Sequence, residues 1–106
     1  MVKKRIPVKI RKDIDKYIVS LKEDNFSFDK ILLFGSWATG RAHEDSDIDL
    51  CVVSSNFDKI DPWEYLWRKK ADINSLRVQP VGFTPEDFVD ESPIVHEIKK
   101  YGISVA

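Results

Sequence analysis

Two aspartates separated by a single residue, Asp47 and Asp49, head an otherwise apolar run, "DIDLCVVSS". The β-branched and apolar residues around them read as a strand. On a strand, residues two apart point to the same face. Asp47 and Asp49 therefore stand side by side, while Ile48 and Leu50 turn the other way into a core. Two carboxylates that close repel each other, and loss of water raises their pKa values. A hard divalent cation held by carboxylate oxygens is the natural remedy. The fold must bury one face of this strand and leave the other face open at the acidic end.

The rest of the chain supplies the partners. "RKDIDKYIVSLKED" sets Ile14, Tyr17, Ile18 and Leu21 at helical spacing. "DKILLFGS" is a short apolar run closed by Gly35, a buried strand ending in a turn. "WATG" is one turn of helix with Gly40 as its stop. "RAHEDS" is a polar loop and "NFDKID" a connection. "DPWEYLWRKKADIN" opens with Asp61 as N-cap and Pro62 at the first helical position, and puts Trp63, Leu66 and Trp67 on one face. With Tyr65 these make a dense aromatic group that one helix cannot bury entirely, which leaves part of it for a partner surface. "LRVQPVGF" is a third strand, restricted to an edge or a strand end by Pro80. "TPEDF" and "SPIVHEIKKYG" repeat the cap-then-Pro helix start at Thr84 and Ser92, and "ISVA" adds a last short strand. The expected fold is α/β (α+β): a small mixed β-sheet flanked by helices.

A chain of 106 residues, 42% hydrophobic and 11% aromatic, fits one domain over 1–106 with a modest core. Its 17 basic and 18 acidic residues give no global pull toward nucleic acid or membrane. The basic cluster "MVKKRIPVKIRK" leaves 1–10 as a solvated N-terminal arm, with phosphate or an acidic partner as the sharper alternative. The single cysteine, Cys51, excludes an intrachain disulfide and reads as a small core hydrophobe. No apolar run approaches the roughly 20 residues needed to span a bilayer. The start of the chain lacks the apolar segment of a signal peptide, so the expected location is cytoplasmic.

Three motif readings fail on particular residues. An EF-hand loop through Asp45, Asp47 and Asp49 needs Gly at Leu50 and Glu at Asn56. An Asp-x-Asp phosphatase places its nucleophile after a strand, whereas this pair opens one. A P-loop in "GSWATGRA" needs Lys and Ser/Thr where Arg41 and Ala42 stand. What remains is a Gly-Ser turn entering a short helix, with backbone N–H groups and the Ser36 hydroxyl available to phosphate oxygens.

Gly35-Ser36, then Asp47-Ile48-Asp49 beginning eleven residues after Ser36, resembles the signature of the polymerase-beta-like nucleotidyltransferases. It is most similar to the minimal, single-domain nucleotidyltransferases. "LLFGSWATGRAHEDSDIDLCVV", "LRVQPVGFTPEDF" and "PIVHEIKKYGISV" carry the likeness over about residues 10–105. The resemblance implies the polymerase-beta-like fold and two-metal nucleotidyl transfer. It implies that Gly35, Ser36 and Arg41 bind the phosphates of an NTP, ATP foremost. It implies that Asp47 and Asp49 are catalytic and bind Mg²⁺. The implied acceptor is a protein or small-molecule hydroxyl rather than long nucleic acid. The implied partner is a small helical toxin-type protein, this chain being the antitoxin half. A homo-oligomer remains open.

Two positions depart from the pattern. The third carboxylate of the family, directly before a proline, is replaced by Gln79, which offers a carbonyl oxygen but neither charge nor base. Asp72 is the nearby acid available to stand in. Thr39 occupies a position where the family often has arginine, with Arg41 as the substitute cation. The alternative reading is therefore a catalytically degenerate nucleotide- or metal-binding module acting through a protein partner. His43 is read as a solvated loop residue or a phosphate contact, and His96 as structural or exposed.

Overall fold

The computed structural model describes residues 6–75 and 77–106. Its centre is a four-stranded mixed sheet of order β3-β2-β1-β4. The strands are β1 (Lys30–Phe34), β2 (Ile48–Val53), β3 (Val78–Phe83) and β4 (Ile103–Ser104). β2 and β4 run antiparallel to β1, and β3 runs parallel to β2. The parallel pair needs a crossover, which α3 (Pro62–Asp72) provides after a single 3₁₀ turn at Ser55–Asp58. Pro80 lies in edge strand β3, where its missing N–H does least harm. Its carbonyl is taken by the Trp67 indole N–H at 3.1 Å. Leu76, first residue of the predicted third strand, lies outside the described residues, as do residues 1–5 of the predicted arm.

Alternation along β2 separates two cores. Ile48, Leu50 and Val52 pack with Ile31, Leu33 and Val78 beneath α1 (Val8–Glu23) and α3. Cys51 and Val53 face the other way, against Phe88 and against Val95 and Ile98 of α4 (Pro93–Tyr101). Cys51 is a core residue as expected, fully buried, its thiol pushed up to about 12 by desolvation against a small opposing pull from Lys30.

The structure corrects three readings. Helix α1 begins at Val8, so the expected arm of 1–10 does not reach residue 10. Ile10 is 2% exposed and extends the stripe of Ile14, Tyr17, Ile18 and Leu21 one turn earlier. The helix ends in a Schellman arrangement: Phe26 N–H reaches Leu21 O, Asn25 N–H reaches Lys22 O, and Asn25 takes φ 55°. "TPEDF" is a single turn instead of a helix. Thr84 Oγ1 accepts from Asp87 N–H, and Phe88 N–H closes on Thr84 O. The chain must be extended again before Pro93, with Ser92 at ψ 125°, and Phe88 drops into the α4-side core. The inward face of α3 is Tyr65 and Leu66, while Trp63 is 63% exposed and stacks on Trp67 with centroids 4.4 Å apart.

Asp61 caps α3 as the sequence suggests, its Oδ1 accepting from Trp63 N–H at 2.9 Å and Glu64 N–H at 3.3 Å. Tyr17 OH donates to Leu66 O at 2.9 Å and ties α1 to this helix. Asp61→Ala is expected to cost about 1 kcal/mol and to lower Tm by roughly 4–8 °C in a domain of this size. A thermal melt checks it; an unchanged Tm would mean that packing alone holds the helix start.

Candidate active site

β1 delivers the chain to Gly35, whose φ of 75° and ψ of −152° are open essentially to glycine alone. The turn feeds a short helix, α2 (Ser36–Thr39), closed by Gly40 in the left-handed region at φ 79°. Ala38 and Thr39 N–H make the first bonds back to Gly35 O. The Ser36 and Trp37 amides precede that ladder and point out of the helix start.

The antiparallel register of β1 and β2 pairs Phe34 with Asp49, which brings the turn onto the acid. A Cβ on Gly35 would collide with the Asp49 carboxylate, whose Cγ would lie 3.1 Å away. Asp49 is half-buried, and its pKa is raised first by desolvation and second by the charge of Asp47. Asp47 stands exposed, just ahead of the first residue of β2. The two acids are therefore unequal: one pressed against the glycine turn, one open to solvent. A half-buried carboxylate with a raised pKa beside a second carboxylate fits a divalent cation, which would relieve both causes at once.

Gln79 is in register with Asp49 across the parallel pair. It shares its strand face with Val81 and Phe83, the face that looks toward α4. The position next to Asp49 is thus filled by a neutral amide. Among the described residues, no three His, Cys, Asp or Glu side chains gather as a metal-holding group. Asp72 is an exposed residue at the end of α3 and joins no such group.

Thr39 and Arg41 are linked. The Thr39 hydroxyl donates to Gly35 O at 3.3 Å, and Arg41 Nε donates to Thr39 Oγ1 at 3.3 Å. The guanidinium is steered toward α2 by the residue that stands in place of the expected arginine. With Glu97 and Tyr101 of α4, Thr39 and Arg41 line an open groove of about 370 Å³. His43 is an exposed loop residue whose backbone N–H donates to Ser46 Oγ at 2.7 Å, and His96 is exposed on α4.

Sequence reasoning missed three residues that shape this end of the sheet. Trp37 Nε1 donates to Ser46 O at 3.2 Å, and Arg77 Nη2 donates to the same oxygen at 3.0 Å. Arg77 also bonds Glu44 O, so the loop that leads into Asp47 is held from two sides. Lys70 of α3 is 7% exposed, with its ammonium 4.1 Å from the Trp67 ring centroid. Desolvation lowers its pKa, and the charge of Asp47 opposes that shift. The Ser-Asp sequence "DSDID" carried no signal for these contacts between distant parts of the chain.

A glycine-only turn is thus backed against paired acids on a small mixed sheet with helices on both faces. The family model for the nucleotidyltransferase domain matches residues 10–105, and the chain belongs to that family. Solved structures agree on the fold. A candidate nucleotidyltransferase from Sulfolobus solfataricus superposes with TM-score 0.66 at 14% identity, over 92% of this chain and 79% of that one. A toxin–antitoxin complex with AMP-PNP gives TM-score 0.58 at 26% identity, over 87% and 72%. A mutant toxin–antitoxin MntA–HpeT gives TM-score 0.59 at 22% identity, over 87% and 71%. No curated protein sequence gives a significant match. Among the described residues, no helix is long and apolar enough to cross a membrane.

Proposed function

We propose that this chain transfers a nucleoside monophosphate from an NTP, ATP foremost, to a hydroxyl of a protein or small molecule. The observation that carries the reading is the Gly35 turn packed against Asp49 through the Phe34–Asp49 register. That packing supports a site in which backbone amides would bind phosphate beside carboxylate oxygens that would bind metal. Asp47 and Asp49 would hold Mg²⁺. When bound, the ion would neutralise charge developing on the α-phosphate and on the departing pyrophosphate. The Gly35 and Ser36 turn binds triphosphate oxygens through backbone amides and the Ser36 hydroxyl. Arg41, steered by Thr39, adds the cation near the phosphates. The acceptor oxygen forms the new bond to the α-phosphorus as the bond to the β-phosphate oxygen breaks. The acceptor's proton passes to solvent, because Gln79 accepts none.

The likeness to toxin–antitoxin structures supports an antitoxin role with a small protein partner, and the AMP-PNP in one of those complexes supports an adenine nucleotide. Trp63, exposed and flat against Trp67, is the kind of anchor that partner interfaces favour. Gln79 favours a second reading, a module that binds nucleotide and metal without transfer.

Incubation with Mg²⁺ and α-labelled NTPs, with and without the protein encoded next door, separates them. Label appearing in an acceptor, and lost in Asp47→Ala, supports transfer. Labelled nucleotide bound but never transferred, with transfer restored by Gln79→Glu, supports the binding module. If neither Mg²⁺ nor NTP raises Tm, both readings fall.

A further inference from the structure

We propose that Gln79 makes this a one-ion site: the chain holds a single divalent cation with its bound nucleotide, through Asp47 and Asp49. The inference rests on the nucleotidyltransferase reading above and concerns how many ions that site can hold.

Position follows from the strand register. Gln79 and Asp49 are neighbours across the parallel β2–β3 pair, and both lie on the face turned to α4. Adjacent strands are about 4.8 Å apart, so the Gln79 amide reaches the space beside the Asp49 carboxylate. Any additional ion held between β2 and β3 would have to bind there. Gln79 brings a carbonyl oxygen, which is a neutral donor, and amide hydrogens, which a cation repels.

Charge follows from composition. The acid pair carries two negative charges, matched by one divalent ion. After that cation binds, the pair is neutralised. The nucleotide's phosphates bring their own negative charge, but a second ion between β2 and β3 would meet no protein carboxylate beyond that pair, only the neutral Gln79 amide. Nothing nearby restores the balance. No third acid joins the pair among the described residues.

The test counts ions. The full chain is crystallised with α,β-methylene-ATP and Mn²⁺, and manganese is located by anomalous scattering. A Mn²⁺ titration followed by electron paramagnetic resonance gives the same count in solution. The native protein is expected to hold one ion per chain–nucleotide complex, and Gln79→Glu two. Two ions in the native protein overturn the proposal, as does one ion in a Gln79→Glu chain that melts cooperatively. If Gln79→Glu does not fold, the native count alone decides. Absence of manganese from Asp47 and Asp49 in both proteins overturns instead the underlying assignment of a metal-dependent transferase.

Discussion

Asp49→Asn is expected to abolish nucleotidyl transfer while making the metal-free protein more stable at neutral pH. The two effects come from one carboxylate. Its pKa is raised above the ordinary 3.8, first by burial and second by Asp47. A raised carboxylate is a group that the folded state would rather keep protonated. The penalty for ionising it is fully present above its folded-state pKa. It fades as pH falls through that value and vanishes below the unfolded value near 3.8. Asn has nearly the same shape and no charge, so it removes the penalty. Tm should rise by a few degrees at pH 7 without metal, and the difference from the native protein should shrink on acidification toward pH 4. Adding Mg²⁺ should raise Tm of the native protein and leave the variant unmoved. Transfer should fall on the order of 10³-fold, because a metal-held charge is worth several kcal/mol to the transition state. A variant that is less stable than native at pH 7, or that keeps its activity, would contradict this account.

Much of the site was readable in the sequence because its parts are local in the chain. Gly35-Ser36 closes one strand, and Asp47 and Asp49 open the next. The pairing of those strands brings turn and acids together without help from distant residues. Gln79 was marked by the family resemblance, as the residue before Pro80 where the family carries an acid, and the strand register sets it opposite Asp49. The contacts that hold the site were not readable. Arg77 and Trp37 reach a backbone oxygen of Ser46, and a carbonyl leaves no mark in a sequence. Lys70 sits in a basic stretch with Arg68 and Lys69, where nothing marks one lysine as the buried one. The phase of α3 was ambiguous for a different reason. Trp63, Tyr65, Leu66 and Trp67 crowd five positions, so two helical faces are apolar. Tertiary contacts chose Tyr65, whose hydroxyl donates to Asp24 at 2.6 Å and whose ring stacks on Phe26. At the start of α1 the basic cluster suggested an arm, and Ile10 outweighed it by reaching the core.

Gly35→Ala should be as damaging to activity as loss of Asp49, though it removes no functional group. Alanine at this position faces two separate obstacles. The backbone sits at φ 75° and ψ −152°, a region that residues with a Cβ avoid at a cost of about 1–3 kcal/mol. The new methyl would also overlap Asp49 Oδ2, with Cγ of the same residue only 3.1 Å away. Neither partner can yield without harm. If the carboxylate moves, the acid pair loses its geometry; if the turn relaxes, the close approach of turn and acid is lost. Position 40 provides the control. Gly40 also has a positive φ, of 79°, but a Cβ there meets nothing within 4 Å. Gly40→Ala should therefore cost about 1 kcal/mol of stability through its backbone alone and leave metal binding intact. Gly35→Ala should lose Mn²⁺ binding and transfer together, and its Tm should fall further than that of Gly40→Ala. Equal behaviour of the two variants in Mn²⁺ titrations and melts would show that the close approach of turn and acid contributes nothing, and that only the left-handed backbone matters.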